Sequence, residues 1–392
     1  NFITEEKVIR NSLIVDEGDA YNKILFNKSI NKIRSRGIFK NVNADIVDSN
    51  INENNKIINI KVEEKPTGEI FAGAGTGTSG STISAGIKEK NYLGKGISLN
   101  TNLTLSDDEI KGIFSVYNPN FRNTDRSLNT TIESTSSDYL TTSGYKTTRT
   151  GLKFGTGFEQ YQDLFINFGL SNYYEKLETS EKASDIKKKQ EGDYFENLFT
   201  YSLTANKLDQ DFQPTDGYRA MFSQTLPIYS DDNSIENTIK ASKYHSINDN
   251  LILSAKFFFR AVNSLDDDVR VSKRVYIPGS RLRGFESGKI GPKDGAQYVG
   301  GNYGSAVNLN SSLPNFFTEF ENLDFSFFLD AANLWQVDYD SSLDSDKIRS
   351  STGISANWFT PIGPLSFSYA IPISEASGDK TESFRFQIGT SF

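Results

Sequence analysis

The residue best equipped for chemistry in this sequence is an arginine. Arg283 lies in the run Arg281-Leu282-Arg283-Gly284-Phe285-Glu286-Ser287-Gly288-Lys289-Ile290-Gly291-Pro292. A guanidinium is permanently charged and presents a rigid fork that suits a bidentate carboxylate. What it offers is anchorage rather than bond-breaking: a charged pin for a folded loop, with Gly284 and Phe285 beside it. The surrounding segment, about residues 265–303, carries Arg, Phe, Ile and Tyr among its glycines and is flanked on both sides by strand-like alternation. Most connections between strands are only a few residues long, so a segment of this length is either functional or disordered. Its apolar content favours a folded loop. Alone, the tripeptide Arg-Gly-Phe is a weak signal, because a solvated turn can spell it.

The other reactive groups support little. His245 is the single histidine and cysteine is absent, which removes His-based metal clusters, thiolate sites and cysteine nucleophiles and leaves a histidine-dependent triad without support. Gly75, Gly77 and Gly80 spell G-x-G-x-x-G. The following Ser81-Thr82-Ile83-Ser84-Ala85-Gly86-Ile87 is strand-like, however, where a dinucleotide site needs a helix N-terminus for the pyrophosphate. Gly284 to Lys289 is one residue short of a P-loop and lacks its final hydroxyl. Asp266-Asp267-Asp268 matches no calcium-loop spacing. No carboxylate pair stands out among 50 acids. No cofactor or metal is implied.

The elements that must position Arg283 are strands. Leu251, Leu253, Ala255, Phe257, Phe259 and Ala261 share one face, with Lys256 and Arg260 opposite. Leu164, Ile166, Phe168 and Leu170 oppose Phe165, Asn167, Gly169 and Ser171, and Ile97, Leu99, Thr101, Leu103 and Leu105 share a face. Near the end, Phe384, Phe386, Ile388 and Phe392 oppose Arg385, Gln387, Gly389 and Ser391. Segments of about ten residues, apolar on one side and polar on the other, predict a barrel in lipid with a wet lumen. A mean hydropathy of −0.48 is compatible with that, since alternation hides the apolar face. Sixteen antiparallel strands are predicted, starting near residues 69, 80, 95, 110, 125, 144, 163, 193, 217, 236, 250, 304, 321, 348, 364 and 383. An even count puts both ends of the barrel on one side. A soluble β-sandwich would have to bury too many two-faced strands rich in the chain's 29 Phe and 18 Tyr. The net charge of −8 and pI near 5.0 argue against nucleic acid as a partner.

The first strand, Ile70-Phe71-Ala72-Gly73-Ala74-Gly75-Thr76-Gly77, differs from the rest because three glycines weaken its propensity and packing. In a closed barrel it must pair with the last strand, so that seam is expected to be the weakest line in the wall.

Residues 1–66 form a different unit, a small α/β module. Thr4 with Glu5 and Glu6 predicts a helix start, then a short helix through Val8, Ile9 and Leu13, broken at Asp16-Glu17-Gly18-Asp19. A second helix is expected over about residues 20–36 with an Ile24, Ile30 and Ile33 stripe, stopped at Gly37. Alternation through Val42, Ala44 and Ile46 and then Ile58, Ile60 and Val62 predicts a hairpin packed on those helices. Pro66-Thr67-Gly68 closes the module. These residues carry no basic n-region or apolar h-region, so no signal peptide is expected among them.

These residues together resemble a known family. Arg283-Gly284-Phe285, then Ile290-Gly291-Pro292 and Val299-Gly300-Gly301-Asn302, look like the signature extracellular loop of the BamA family, the central insertases of the outer-membrane β-barrel assembly machinery. Phe328-Leu329-Asp330-Ala331-Ala332-Asn333-Leu334-Trp335 resembles a family strand, with Ala332 where the family has glycine. Trp358 with Pro361-Ile362-Gly363-Pro364-Leu365, Asp209 with Pro214, Thr215 and Gly217, and a Gly-and-Phe ending (Gly389, Phe392) resemble further family segments.

The resemblance spans the chain and implies one POTRA domain, the last of a series, at 1–66. It implies a barrel at 69–392 whose loop 265–303 folds into the lumen, with Asp330 as the partner of Arg283. The family's neighbouring strand usually adds an acid where this sequence has Asn308 and Asn310. The implied function is non-enzymatic folding and insertion of nascent outer-membrane proteins through a lateral seam around Gly73, Gly75, Gly77, Gly389 and Phe392. The implied partners are accessory assembly lipoproteins, periplasmic chaperones and outer-membrane lipid. A TamA-like assembly factor or a two-partner secretion pore of the same superfamily is the alternative.

Overall fold

A computed structural model describes residues 3–15, 17–49, 55–211, 213–248, 251–266, 268–313, 322–360 and 363–389. The N-terminal unit comprises α1 (Glu6–Arg10), α2 (Lys23–Ser35) and the antiparallel hairpin β1 (Phe39–Asp48) and β2 (Lys56–Glu64). Ala44 pairs with Ile60 and Ile46 with Ile58, as the alternation predicts. Val8, Ile30, Ile33, Ile38, Phe39 and Val42 form its buried core, with Phe26 packed against it.

Two local expectations need correction. Thr4 does not cap α1. Glu5 holds the N-cap position without a side-chain bond, while the Thr4 hydroxyl accepts from Asn91 Nδ2 at 2.8 Å and its amide donates to Glu64. Tertiary contacts outcompete the local cap. Ile24 is 69% exposed and lies off the stripe, which instead runs through Phe26, Ile30 and Ile33. At about 100° per residue, Ile24 sits roughly 120° round the helix from Ile30. The cap that α2 does have is Asn22, whose side chain accepts from the amides of Ile24 and Leu25.

The rest is a closed antiparallel barrel of sixteen strands. In chain order its first strands are β3 (Gly68–Gly77), β4 (Gly80–Tyr92), β5 (Ile97–Ser106), β6 (Glu109–Asn118), β7 (Ser127–Tyr139) and β8 (Tyr145–Tyr161). Next come β9 (Leu164–Thr179), β10 (Gly192–Leu208), β11 (Gly217–Ser230), β12 (Ser234–Asn248) and β13 (Leu251–Ser264), with α3 (Asp185–Lys189) between β9 and β10. The long loop then carries three two-residue strands, β14 (Gly284–Phe285), β15 (Lys293–Asp294) and β16 (Gln297–Tyr298). The wall resumes with β17 (Tyr303–Leu313), β18 (Leu323–Trp335), β19 (Arg349–Thr360) and β20 (Gly363–Ser374), and after β21 (Thr381–Glu382) it ends with β22 (Phe384–Gly389).

Every wall strand starts within two residues of the expectation from alternation. Apolar side chains such as Ile83, Ile87, Leu103, Phe114, Ile132, Leu253, Phe257, Leu329 and Ile354 stand on the outer face, more than a third exposed, as the lipid-facing side of a membrane barrel requires. The largest buried apolar cluster sits inside the barrel. Val269, Val275, Ile277, Leu282, Phe285 and Ile290 of the long loop pack there on Val262, Ala306, Ala332 and Leu334 of the wall. The lumen therefore holds a plug with a core of its own. Of the decoys, Gly75, Gly77 and Gly80 lie in the β3–β4 hairpin, where Gly77 pairs with Gly80. Asp266 accepts from Asn233, and Asp267 lies outside the described residues.

Candidate functional site

The loop between β13 and β17 turns inward, and Arg283 meets β18. Arg283 Nε donates to Asp330 Oδ2 at 2.7 Å and Nη2 to Asp330 Oδ1 at 2.7 Å, a bidentate fork; the Arg283 amide adds a third bond to Oδ2 at 3.1 Å. Asp330 is fully buried. The guanidinium lies 3.5 Å from the centroid of the Phe328 ring and Nη2 also reaches Asn310 Oδ1 at 2.8 Å.

Asn308 and Asn310 explain how one carboxylate suffices. Asn308 Nδ2 donates to Asp330 Oδ1 at 2.8 Å and to the Arg281 carbonyl at 2.9 Å, while Asn310 offers its carbonyl to the guanidinium. One cation thus faces one anion, and the amides fill the remaining valences. A second carboxylate at 308 would meet Asp330 as a like charge and lose both donated bonds.

Gly284 has a φ of +90°, and an added Cβ would lie 3.2 Å from the Cβ atoms of both Ala370 and Ser351. This backbone is left-handed and tightly walled, which requires glycine. Gly284→Ala should cost about 1–2 kcal/mol from the conformation alone; a lower melting temperature of the heat-modifiable folded band on gels is the expected readout. The next residue, Phe285, is buried, and β14 pairs with β21, Gly284 to Glu382 and Phe285 to Thr381. The connection from β20 to β22 therefore clamps the plug. A buried ion pair holds the clamp, Arg349 Nε to Asp379 Oδ2 at 2.9 Å, with both side chains 1% exposed. Asp379 also accepts from the amides of Gly291 and Ala376.

The loop has a further anchor on the far wall. Arg270 is buried beside Glu196 at 2.6 Å, Glu175 at 3.4 Å and Asp232 at 3.4 Å. Lys273 and Arg149 also reach Glu196, both at 2.7 Å. Three cations and three carboxylates balance. Neither this cluster nor the Arg349–Asp379 pair was singled out from sequence. Their ion-pair partners are 26 to 95 residues apart, and barrel register together with loop folding brings them together. The signal that was available is inward charge on alternating strands, which marks a lumen and names no partner.

Lys187 of α3 ties the outer loops to the plug, donating to the Ser143 carbonyl at 3.1 Å and to Gln297 Oε1 at 2.9 Å. Burial pushes its amine from 10.5 down to about 8. The unfolded chain then binds more protons than the folded one between about pH 8 and 10.5, so stability contributed here rises with pH across that window. Below pH 8 both states are charged and the burial penalty is constant. The swing is on the order of 3 kcal/mol. Lys187→Met should remove it, read as the loss of the rise in loop protease resistance between pH 8 and 10.

The seam lies where β22 meets β3. Three register pairs join them among the described residues, Gln387 to Gly77, Ile388 to Thr76 and Gly389 to Gly75. The neighbouring β3–β4 ladder runs for ten, from Gly68 to Gly77. Gly389 has a φ of +95°, and a Cβ there would come within 2.3 Å of the Ala74 carbonyl oxygen. Gly73 faces Ser84 on β4, and among the described residues it has no pair on β22. Phe392 lies outside the described residues. Inside the seam a cavity of about 450 Å³ separates it from the plug, lined by Thr76, Ser280, Ser355, Ser368 and Arg385. Arg385 on β22 donates to the Phe285 carbonyl at 2.9 Å, so the last strand touches the plug directly.

Comparison with known proteins agrees with this architecture. The profile described as "Omp85 superfamily domain" matches residues 91–392, and the POTRA profile, "Surface antigen variable number repeat", matches 1–65. The chain is similar to outer membrane protein assembly factor BamA of Nitratidesulfovibrio vulgaris, 25% identical over 98% of this chain and 49% of the relative. To the BamA of Neisseria meningitidis serogroup B it is 26% identical over 99% of this chain and 55% of the relative. The chain spans about half the length of these curated relatives.

Among solved structures it resembles BamA from Haemophilus ducreyi lacking POTRA domains 1–3, with a TM-score of 0.83, 25% identity and coverage of 100% of this chain and 82% of that one. CdiB from Escherichia coli shares the fold, with a TM-score of 0.66 and 12% identity over 99% of this chain and 74% of that one. The barrel is an outer-membrane barrel with the POTRA unit on its periplasmic side. From its profile match and its sixteen-stranded, loop-plugged barrel, the chain belongs to the Omp85 superfamily.

Proposed function

We propose that this chain is the membrane-embedded part of an outer-membrane protein assembly factor, which folds and inserts nascent β-barrel proteins and catalyses no covalent step. The observation that carries the reading is the seam: a closed wall whose first and last strands meet through three register pairs among the described residues, on a strand rich in glycine. An incoming strand can extend an exposed β3 edge by main-chain hydrogen bonding, the β-augmentation mode. The plug supports this reading over a passive pore, because Arg283, Asp330 and the apolar cluster fill the lumen where a pore needs an open constriction. Roles follow for the site: Arg283, Gly284 and Phe285 hold the plug, Asp330 is its counter-charge, and the seam around Gly73, Gly75, Gly77, Gly389 and Phe392 receives the client. Accessory assembly lipoproteins and periplasmic chaperones would deliver clients to the POTRA side. A TamA-like factor or a two-partner secretion pore would share the fold.

The test is the folding rate of a small client barrel into liposomes with and without this protein. Acceleration that disappears when the client's last strand is scrambled supports insertion; steady ion conductance without acceleration supports a pore.

A further inference from the structure

Where the POTRA unit meets the barrel there is a cavity of about 190 Å³ walled by cations. Lys7 of α1, Arg36 after α2, Lys95 in the β4–β5 turn and Arg122 in the β6–β7 turn line it, and no carboxylate does. Lys7 pairs with Glu5. Among the described residues, no ion pair joins a carboxylate to Arg36, Lys95 or Arg122.

Arg36 is half-buried, and its side-chain partners are the neutral oxygens of Ser12 and Asn120, so burial lowers its pKa. A desolvated cation among neutral acceptors lacks the counter-charge that such burial ordinarily needs. The second observation is conformational. Arg122 and Asn123 are consecutive left-handed residues, at φ +55° and +57°, in a turn that costs backbone strain to hold. That turn brings the Arg122 side chain to the cavity, whose lining is shared by four separate elements. The third is position. Tyr92 and Tyr117 at the ends of β4 and β6, and Phe121 in the β6–β7 turn, stand exposed, as aromatic residues do at a membrane–water interface.

We propose that this cavity binds a phosphate group, supplied by the headgroup of an anionic phospholipid in the periplasmic leaflet. The bound anion would neutralise Arg36 and bridge the POTRA unit to the barrel turns, setting the angle between them. Lys95 and Arg122 are exposed and can meet the phosphate from the lipid side, while Arg36 meets it from the protein side.

The test uses the whole chain purified in a neutral detergent, with native mass spectrometry reading retained phosphatidylglycerol and heat-modifiable gel mobility reading the fold. A single phosphatidylglycerol adduct is expected in the parent chain, reduced at least about tenfold in Lys95→Ala/Arg122→Gly. Arg122→Gly relieves the left-handed strain while removing the charge, so the fold should persist as binding falls. Asn123→Gly relieves the same strain and keeps every cation, and it should retain the adduct. Displacement of the lipid by millimolar inorganic phosphate identifies phosphate as the recognised group. Resistance to it assigns the site to the intact headgroup. An adduct undiminished in the folded double variant, or none in the parent chain, overturns the proposal.

Discussion

Arg283→Ala should cost about 3–5 kcal/mol of loop docking, the largest loss expected from any single substitution in the plug. The estimate rests on what remains after the change. Asp330 is fully buried, and its carboxylate takes three bonds from Arg283 and one from Asn308. Without the guanidinium the anion keeps the Asn308 bond and the backbone bond from residue 283, with no cation beside it. The stacking of Arg283 on Phe328 is lost as well. The expected observation is protease cleavage within 265–303 and a lower temperature for loss of the compact gel band. Asp330→Asn should be milder, since an amide keeps the shape and one acceptor while leaving a partly exposed cation unpaired. Unchanged protease resistance in Arg283→Ala would show that Arg349–Asp379 and the Arg270 cluster hold the plug without the central pair.

The second large effect concerns the seam. Cysteines at Thr76 and Ile388 face each other across β3 and β22, and directly opposed strand positions lie close to disulfide distance. Oxidation should bring client folding back to the uncatalysed rate, and reduction should restore it. The physical reason is that the seam is held by main-chain bonds that an incoming strand can replace. Each bond in it contributes about 1 kcal/mol net, yet every backbone group left open in lipid costs several. Separation is therefore tolerable only when another strand satisfies the freed groups. A disulfide removes that exchange without altering the plug. The link from Arg385 to the Phe285 carbonyl adds a consequence: loosening the plug should also loosen β22.

Much of this fold is legible in the chain because lipid imposes a period of two on every strand. Leu251 to Ala261 shows it plainly, and so do Phe384 to Ile388, whose odd-numbered partner Arg385 points to the plug. The glycines at 75 and 77 marked the seam for the same reason, since they break the pattern of packing. The Arg283–Asp330 contact was legible only by resemblance. Spacing says nothing about which of many inward acids meets an arginine 47 residues away. The Arg349–Asp379 pair and the Arg270 cluster escaped entirely, because barrel closure and loop folding, not local pattern, create them. Thr4 shows the converse: a sound local cap signal was overruled by Glu64 and Asn91, residues far along the chain.

The most direct measurement is to catch a client strand on β3. Single cysteines placed in turn from Ile70 to Thr76 would be oxidised during insertion against a client bearing one cysteine in its last strand. The account predicts cross-links that alternate with a period of two along β3 and vanish when Thr76 and Ile388 are already joined. Cross-links without that period, or equally strong ones to β8 or β12, would contradict a client strand pairing at the seam.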